Sequence, residues 1–124
     1  MNLEALNKVA DAMVQPGKGI LAADESTGTM GKRMEAIGVE NSADNRRAYR
    51  EMMFSAKDAM AYVSGVILYD ETIWQDAADG TPLVKKITDA GSIPGIKVDE
   101  GTRALHGAKP GELITTGLDG LSKR

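Results

Sequence analysis

The chain predicts an α/β fold built on a parallel sheet, and three segments carry that prediction. They are Gly19-Ile-Leu-Ala-Ala-Asp-Glu-Ser26, Gly65-Val-Ile-Leu-Tyr-Asp-Glu-Thr72 and Gly95-Ile-Lys-Val-Asp-Glu-Gly101. Each is a short apolar run that opens on Gly and stops at Asp-Glu. Such a run suits a strand buried on both faces, as in a parallel sheet covered by helices. Unpaired charges cannot share that burial, so Asp-Glu marks the point where each strand leaves the core. The stretches between the runs are long enough for helices, and strands alternating with helices imply right-handed crossovers. Ligands of α/β folds sit beyond the carboxyl ends of the strands. Three such exits therefore point to one organised polar face, although each Asp-Glu taken alone equally fits a cap for the next helix.

The elements follow in order. Leu3, Leu6, Val9-Ala10 and Met13-Val14 share one helical face over residues 3–14, and Pro16-Gly17 stops that helix. The first strand spans residues 19–23. A helix then opens at Ser26 and Thr27, which can cap its first turn, with Met30, Met34 and Ile37 inward and Gly38 at its end. Gly28 and Gly31 each cost roughly 1 kcal/mol relative to Ala inside a helix. Either this helix starts late or something approaches its backbone closely. Ser42 caps a further helix with Ala48-Tyr49, Met52-Met53, Ala56 and Met60 inward, and Arg46-Arg47 read as its solvated face. The second strand spans 63–69. Thr81-Pro82 reads as cap and first helical residue, Leu83-Val84, Ile87 and Ala90 as the apolar stripe, and Gly91 as the stop. The third strand spans 94–98, and residues 100–116 read as a loop around Lys109-Pro-Gly111. The methionines fall at helical spacing, as core filler does.

The 124 residues are enough for one ordinary domain, and residues 1–124 show no internal boundary. A complete (β/α)8 barrel needs about 250 residues, so a barrel would be incomplete in this chain. The segment from Leu118 to Arg124 reads as a helix just beginning. Apolar residues make up 42% and charged residues 27%, the balance of a globular rather than a disordered chain. The net charge of −3 argues against nucleic acid and anionic membrane surfaces as partners. Absence of cysteine excludes disulfides and thiol catalysis within the segment. No apolar run approaches 18 residues and the N-terminus lacks a signal-type apolar core, so the expected location is the cytoplasm.

Two nucleotide-binding patterns nearly match and fail. Gly17-Lys-Gly-Ile-Leu-Ala22 fits G-x-G-x-x-A but precedes its strand, whereas the dinucleotide fingerprint follows one. Ser26-Thr-Gly-Thr-Met-Gly-Lys-Arg33 lacks the opening Gly of a P-loop and the closing Ser or Thr. Ser26-Thr27-Gly28-Thr29 nonetheless follows a strand exit and opens a helix, where free backbone N–H groups and hydroxyls suit a phosphate. Lys32 and Arg33 add positive charge one turn on. An ordinary helix cap is the alternative.

Asp24 at the mouth of the first strand can relay a proton or orient a hydroxyl. Lys97 lies within an apolar run, where an unpaired lysine is rare. It can pair with Asp24, hold an anion, form an imine, or bury its stem while the ammonium reaches water. Asp70, Glu71, Asp99 and Glu100 have the oxygen chemistry of a magnesium site but lack a histidine, so capping and solvation suit them better. His106, the single histidine, falls in a loop.

Gly17-Lys-Gly-Ile-Leu-Ala-Ala-Asp-Glu-Ser-Thr-Gly28 closely resembles class I fructose-bisphosphate aldolase. The likeness continues through Lys32-Arg33, Ile37-Gly-Val-Glu-Asn41, Asn45-Arg-Arg-Ala-Tyr-Arg50, Gly65-Val-Ile-Leu68, Glu71-Thr72, Asp79-Gly-Thr-Pro82, Pro94-Gly-Ile-Lys-Val-Asp99 and Thr116-Gly-Leu-Asp-Gly-Leu121, in order and spacing. It covers essentially the whole chain. The departures are Thr29 where a serine is familiar, Glu100, and a divergent loop at 104–113.

The resemblance implies the N-terminal three β/α units of a TIM (β/α)8 barrel. It also implies reversible cleavage of fructose 1,6-bisphosphate to dihydroxyacetone phosphate and glyceraldehyde 3-phosphate, through a lysine imine and without metal or cofactor. Asp24 matches the family's proton-handling aspartate, and Lys97 its electrostatic strand-three lysine rather than the imine lysine. Ser26, Thr29 and Arg33 match the grip on the C6 phosphate. The imine lysine falls beyond this segment, so the segment alone is expected to be inactive. The full-length parent is expected to be a homo-oligomer. The rival readings are a metal-dependent barrel enzyme using Asp24, Asp70 and Asp99, and a non-catalytic sugar-phosphate-binding scaffold.

Overall fold

The computed structural model describes residues 2–123. Helix α1 (Leu3–Met13) is capped by the Asn2 side chain and leads to strand β1 (Gly19–Ala23). Next come helices α2 (Thr27–Glu35), α3 (Ala43–Phe54) and α4 (Lys57–Met60), then strand β2 (Val63–Leu68). Helices α5 (Asp70–Ile73) and α6 (Leu83–Asp89) precede strand β3 (Ile93–Ile96). Strands β1, β2 and β3 form a parallel sheet in that spatial order. The two outer strands keep one edge each unpaired among the described residues. A separate antiparallel hairpin, β4 (Thr102–Ala104) and β5 (Leu113–Thr115), occupies the stretch that reads as a loop in the sequence, and a 3-10 turn spans Leu121–Lys123.

The core lies on one face of the sheet. Ala23, Val66 and Leu68 meet Phe54, Met60, Ala77, Leu83 and Ile87, all buried. On β2 the side chains alternate, so Val66 and Leu68 enter this core while Gly65 and Ile67 face the other way. On that opposite face Gly65 receives α1, because a Cβ there would stand 2.3 Å from the Met13 sulfur. The β1–β2 register slips at Ser64, which is passed over between the Gly19–Val63 and Ile20–Gly65 pairs. Its buried hydroxyl lies 2.6 Å from the Met13 carbonyl and 3.1 Å from that of Gly19, so a carbonyl near the slip keeps a donor.

Several elements differ from the pattern in the sequence. Helix α2 does start at Thr27 with both glycines inside it, and the close approach at Gly31 is the Asn41 side chain, 2.7 Å from where a Cβ would stand. Ile37 points outward at 73% exposure, because α2 ends at Glu35 and the turn to Gly38 (φ +68°) swings it into solvent. On α3 the inward stripe is Arg46, Arg50 and Phe54, whereas Ala48 and Met52 are exposed and Tyr49 and Met53 half-buried. Ala56 is exposed as well, and Met52 is no core filler.

Pro82, not Thr81, is the residue before α6 and offers no side-chain cap; Thr81 uses its carbonyl to accept from Ala77 N. Strand β3 runs 93–96, leaving Lys97 just past its end. The apolar stripe of α1 is uncovered among the described residues, with Leu3, Leu6 and Val9 about half exposed or more. No helix among the described residues is long and apolar enough to cross a membrane.

Candidate active site

Register builds the site. Ala22 pairs with Ile67 and Ile67 with Gly95, so these three residues share one row on the face away from the core. Two positions further along each strand the side chains return to that face. Asp24, Tyr69 and Lys97 thus stand abreast at the carboxyl ends. The Lys97 amide donates to the Leu68 carbonyl at 2.9 Å and carries the ladder one step past β3. These residues line an open cavity of about 820 Å³ together with Glu25, Ser26, Thr29, Arg33 and Asp99. The five residues that the resemblance marks, Asp24, Ser26, Thr29, Arg33 and Lys97, all line this one cavity, and so do Asp70 and Glu100.

Ser26 forms the cap that its sequence predicts. Its hydroxyl accepts from the Thr29 amide at 3.4 Å and lies 3.2 Å from the Thr29 hydroxyl, so both oxygens are held at the first turn of α2. Arg33, two turns along, makes an ion pair with Glu25 while its side chain stays 54% exposed. The arrangement offers hydroxyls, a helix start and a guanidinium on one rim, the chemistry an anion needs.

Lys97 does not pair with Asp24. Its ammonium donates to Asp99, two residues on, where an extended chain returns a side chain to the same side. That hydrogen bond is the largest influence holding the Lys97 pKa above its ordinary value; desolvation opposes it, and the charges of Asp99 and Asp24 add to it. The same bond, helped by the Gly101 amide, holds Asp99 below the usual aspartate range. Lys97 is therefore an ammonium at neutral pH, which suits it to stabilise negative charge and unsuits it to attack a carbonyl.

Behind the cavity lies a polar network that the sequence reading missed. Arg46 grips Glu71 with two bonds, Nε to Oε2 at 2.8 Å and Nη2 to Oε1 at 2.5 Å. It also donates to the backbone and side-chain oxygens of Asn41, both at 2.9 Å. Asn41 in turn donates to the Thr27 carbonyl at 3.1 Å. Arg50 is fully buried and donates from Nη2 to the Glu25 carbonyl at 2.6 Å. Arg46 is thus no solvated face: it is 7% exposed and belongs to the inner stripe of α3. The signal for this was the i, i+4, i+8 spacing of Arg46, Arg50 and Phe54, which puts two arginines on the face of an obvious core residue.

Glu71 is engaged by these arginines, and Arg46 above all holds its pKa low. No three His, Cys, Asp or Glu residues among those described gather where they would hold a metal ion. His106 sits in the exposed turn of the β4–β5 hairpin, away from the cavity lining.

The family model of fructose-bisphosphate aldolase class-I matches residues 5–124. The chain belongs to the class I fructose-bisphosphate aldolase family. It is 54% identical over 124 residues to a probable class 1 fructose-bisphosphate aldolase of Xanthomonas campestris, covering all of this chain and 37% of that relative. Against the cytoplasmic isozyme of Spinacia oleracea it is 56% identical over 115 residues, which are 93% of this chain and 32% of the relative. It superposes with a TM-score of 0.90 and 44% identity on the fructose-bisphosphate aldolase of Plasmodium falciparum, solved in complex with TRAP and a small-molecule inhibitor. That match covers 97% of this chain and 34% of the solved one. The chain thus spans about a third of the length of these aldolases. Its three parallel β/α units are those of an open, incomplete (β/α)8 barrel.

Proposed function

We propose that this segment supplies the Asp24–Lys97 side of a fructose 1,6-bisphosphate aldolase active site, within a single barrel domain that works in the cytoplasm. The observation that carries the reading is the cavity at the strand ends, where Asp24, Lys97, Ser26, Thr29 and Arg33 converge. The substrate ketone forms an imine with a lysine outside this segment, and the imine accepts electrons as the C3–C4 bond breaks. Asp24 orients the C4 hydroxyl and takes its proton, so the C4 carbon leaves as an aldehyde. Lys97, kept charged by Asp99, stabilises negative charge on the substrate. Ser26, Thr29 and Arg33 hold the C6 phosphate, for which Arg33 exchanges its Glu25 partner for phosphate oxygens. In the reverse direction Asp24 returns the proton to the new C4 oxygen.

The test uses an enzyme of the relatives' full length that carries this segment. It should cleave fructose 1,6-bisphosphate with no loss in the presence of a chelator. Arg33→Ala should lower kcat/KM for the bisphosphate about ten-fold or more beyond its effect on fructose 1-phosphate, the loss of a charge-assisted contact to the C6 phosphate. Equal losses on both substrates would remove Arg33 from that role. Phosphate binding without turnover would favour a scaffold, and chelator-sensitive turnover a metal enzyme.

A further inference from the structure

Arg50 is buried more deeply than any group in the cavity, yet it lies outside the cavity lining. A fully buried arginine is a poor way to fill a core, because apolar side chains of similar volume often stabilise as well or better. Nor is it hydrogen-bonded to capacity: Nε and Nη1 have no hydrogen-bond partner among the described residues. Burial pushes its pKa down, an effect that the nearby Glu25 and Glu71 oppose. What it does have is position. Its Nη2 holds the Glu25 carbonyl at 2.6 Å, in the two-residue link between β1 and the Ser26 cap. Its guanidinium carbon stands 5.8 Å from the Tyr69 ring centroid, at the end of β2. Its Nη1 lies 3.6 Å from the Glu71 carboxylate, which Arg46 has already locked from the other side. One planar group therefore bridges the exits of two strands, holding the first at the residue after Asp24.

We infer that Arg50 is a positioning residue: by clamping the Glu25 carbonyl against Tyr69 and Glu71, it sets where the Asp24 carboxylate stands relative to Lys97. This rests on the reading of Asp24 as the group that takes the proton. Arginine suits the task because its fork is rigid and presents donors in fixed directions, whereas lysine offers a point charge on a flexible stem.

The experiment is a double-mutant cycle in the full-length enzyme. Arg50→Lys keeps the charge and loses the fork. Its kcat for fructose 1,6-bisphosphate should fall about 10²-fold, the scale of an ångström of misplacement, with KM changed less than about threefold. In an Asp24→Asn background the same change should cost less than about twofold, because the group it aims is already gone. A merely structural role would give losses that multiply across the two sites. Multiplying losses, or an unchanged kcat in Arg50→Lys, overturn the inference and leave the aldolase reading intact. An Asp24→Asn enzyme as active as its parent sinks that reading and this inference with it. If Arg50→Lys does not fold, Glu71→Gln, which keeps Arg50 and removes the charge facing its Nη1, is read in the same two backgrounds with the same criteria. Loss of the fold in both variants also overturns the inference, since Arg50 would then be holding the fold and not the site.

Discussion

On the core-side face of the sheet, Ala23, Val66 and Leu68 are at most 1% exposed and meet side chains from α3, α4 and α6. On the opposite face, Ile20 keeps 50% of its exposure, Ala22 is exposed and Ile67 is half-buried. The same three strands build both, since alternate side chains face opposite ways. The core-side face is covered over β1 and β2 by α3, α4 and α6, whereas Ile96 of β3, in the same row as Leu68, keeps 41% of its exposure. The other face is covered by α1 only around Gly65, and at its open carboxyl end it carries the polar cavity. In a closed barrel this second face would meet the remaining strands, which accords with relatives about three times as long. The buried core and the candidate site therefore lie on opposite sides of one sheet.

The comparison breaks most visibly if the segment alone is active and well behaved. We predict no aldol cleavage by the isolated chain, and self-association through the uncovered face and the two open strand edges. Sedimentation and dye binding to exposed apolar surface read this out; a monodisperse monomer with one cooperative unfolding transition would count against it. Dihydroxyacetone phosphate and borohydride should also leave Lys97 unmodified. A stoichiometric adduct mapped there would overturn its role as an ammonium.

Next in size is Asp24→Asn at full length, which touches only the open face. General acid–base groups contribute ~10²–10⁴-fold, and kcat should fall by about that factor while the denaturant midpoint stays close to that of the parent. A rate within threefold of the parent would end the assignment. The covered face should answer in the opposite way. Ile87→Ala, at a site with no exposure, should destabilise by about 2–5 kcal/mol in denaturant titration, through lost burial and the cavity left behind. A cost below about 1 kcal/mol would show that this side is not the core.

The smallest effect sharpens the boundary between the faces, where Glu71 sits. Arg46, first through its hydrogen bonds, holds Glu71 below its ordinary pKa of 4.5 in the folded chain. A carboxylate depressed in the folded state adds stability that is present above the unfolded pKa. That stability is lost as pH falls from about there through the folded value. Glu71→Gln should therefore lower stability by about 1–3 kcal/mol at pH 7 and flatten the acid limb below pH 4.5 relative to the parent. An acid limb of unchanged slope would mean that Glu71 does not carry this linkage.

Much of the site was legible along the chain. The first strand runs Gly19–Ala23 in both readings, Ser26 is the cap of α2, and Leu83, Ile87 and Gly91 behave as their pattern predicts. Asp24 and Lys97 were singled out at strand exits and Ser26 and Thr29 at a helix start, where local rules apply, and Arg33 as a positive charge further along the same helix. The inner face of α3 was misread because hydrophobicity alone assigned it. Met52 looks apolar and is exposed, while Arg46 and Arg50 look polar and are buried against carboxylates and carbonyls 5 to 25 residues away in sequence. The β4–β5 hairpin was missed because its strands are three residues each and none of those residues is buried, so no burial pattern marks them.

Local chemistry therefore determined where strands lie to within two residues and which side chains lie at their mouths, because backbone preference and periodicity act over a few residues. Only the tertiary structure decided what those side chains face. Lys97 turned to Asp99 rather than to Asp24, and Arg50 reached the Glu25 carbonyl across 25 residues. The energy of a buried charge depends on partners that only the packed fold brings within hydrogen-bond reach.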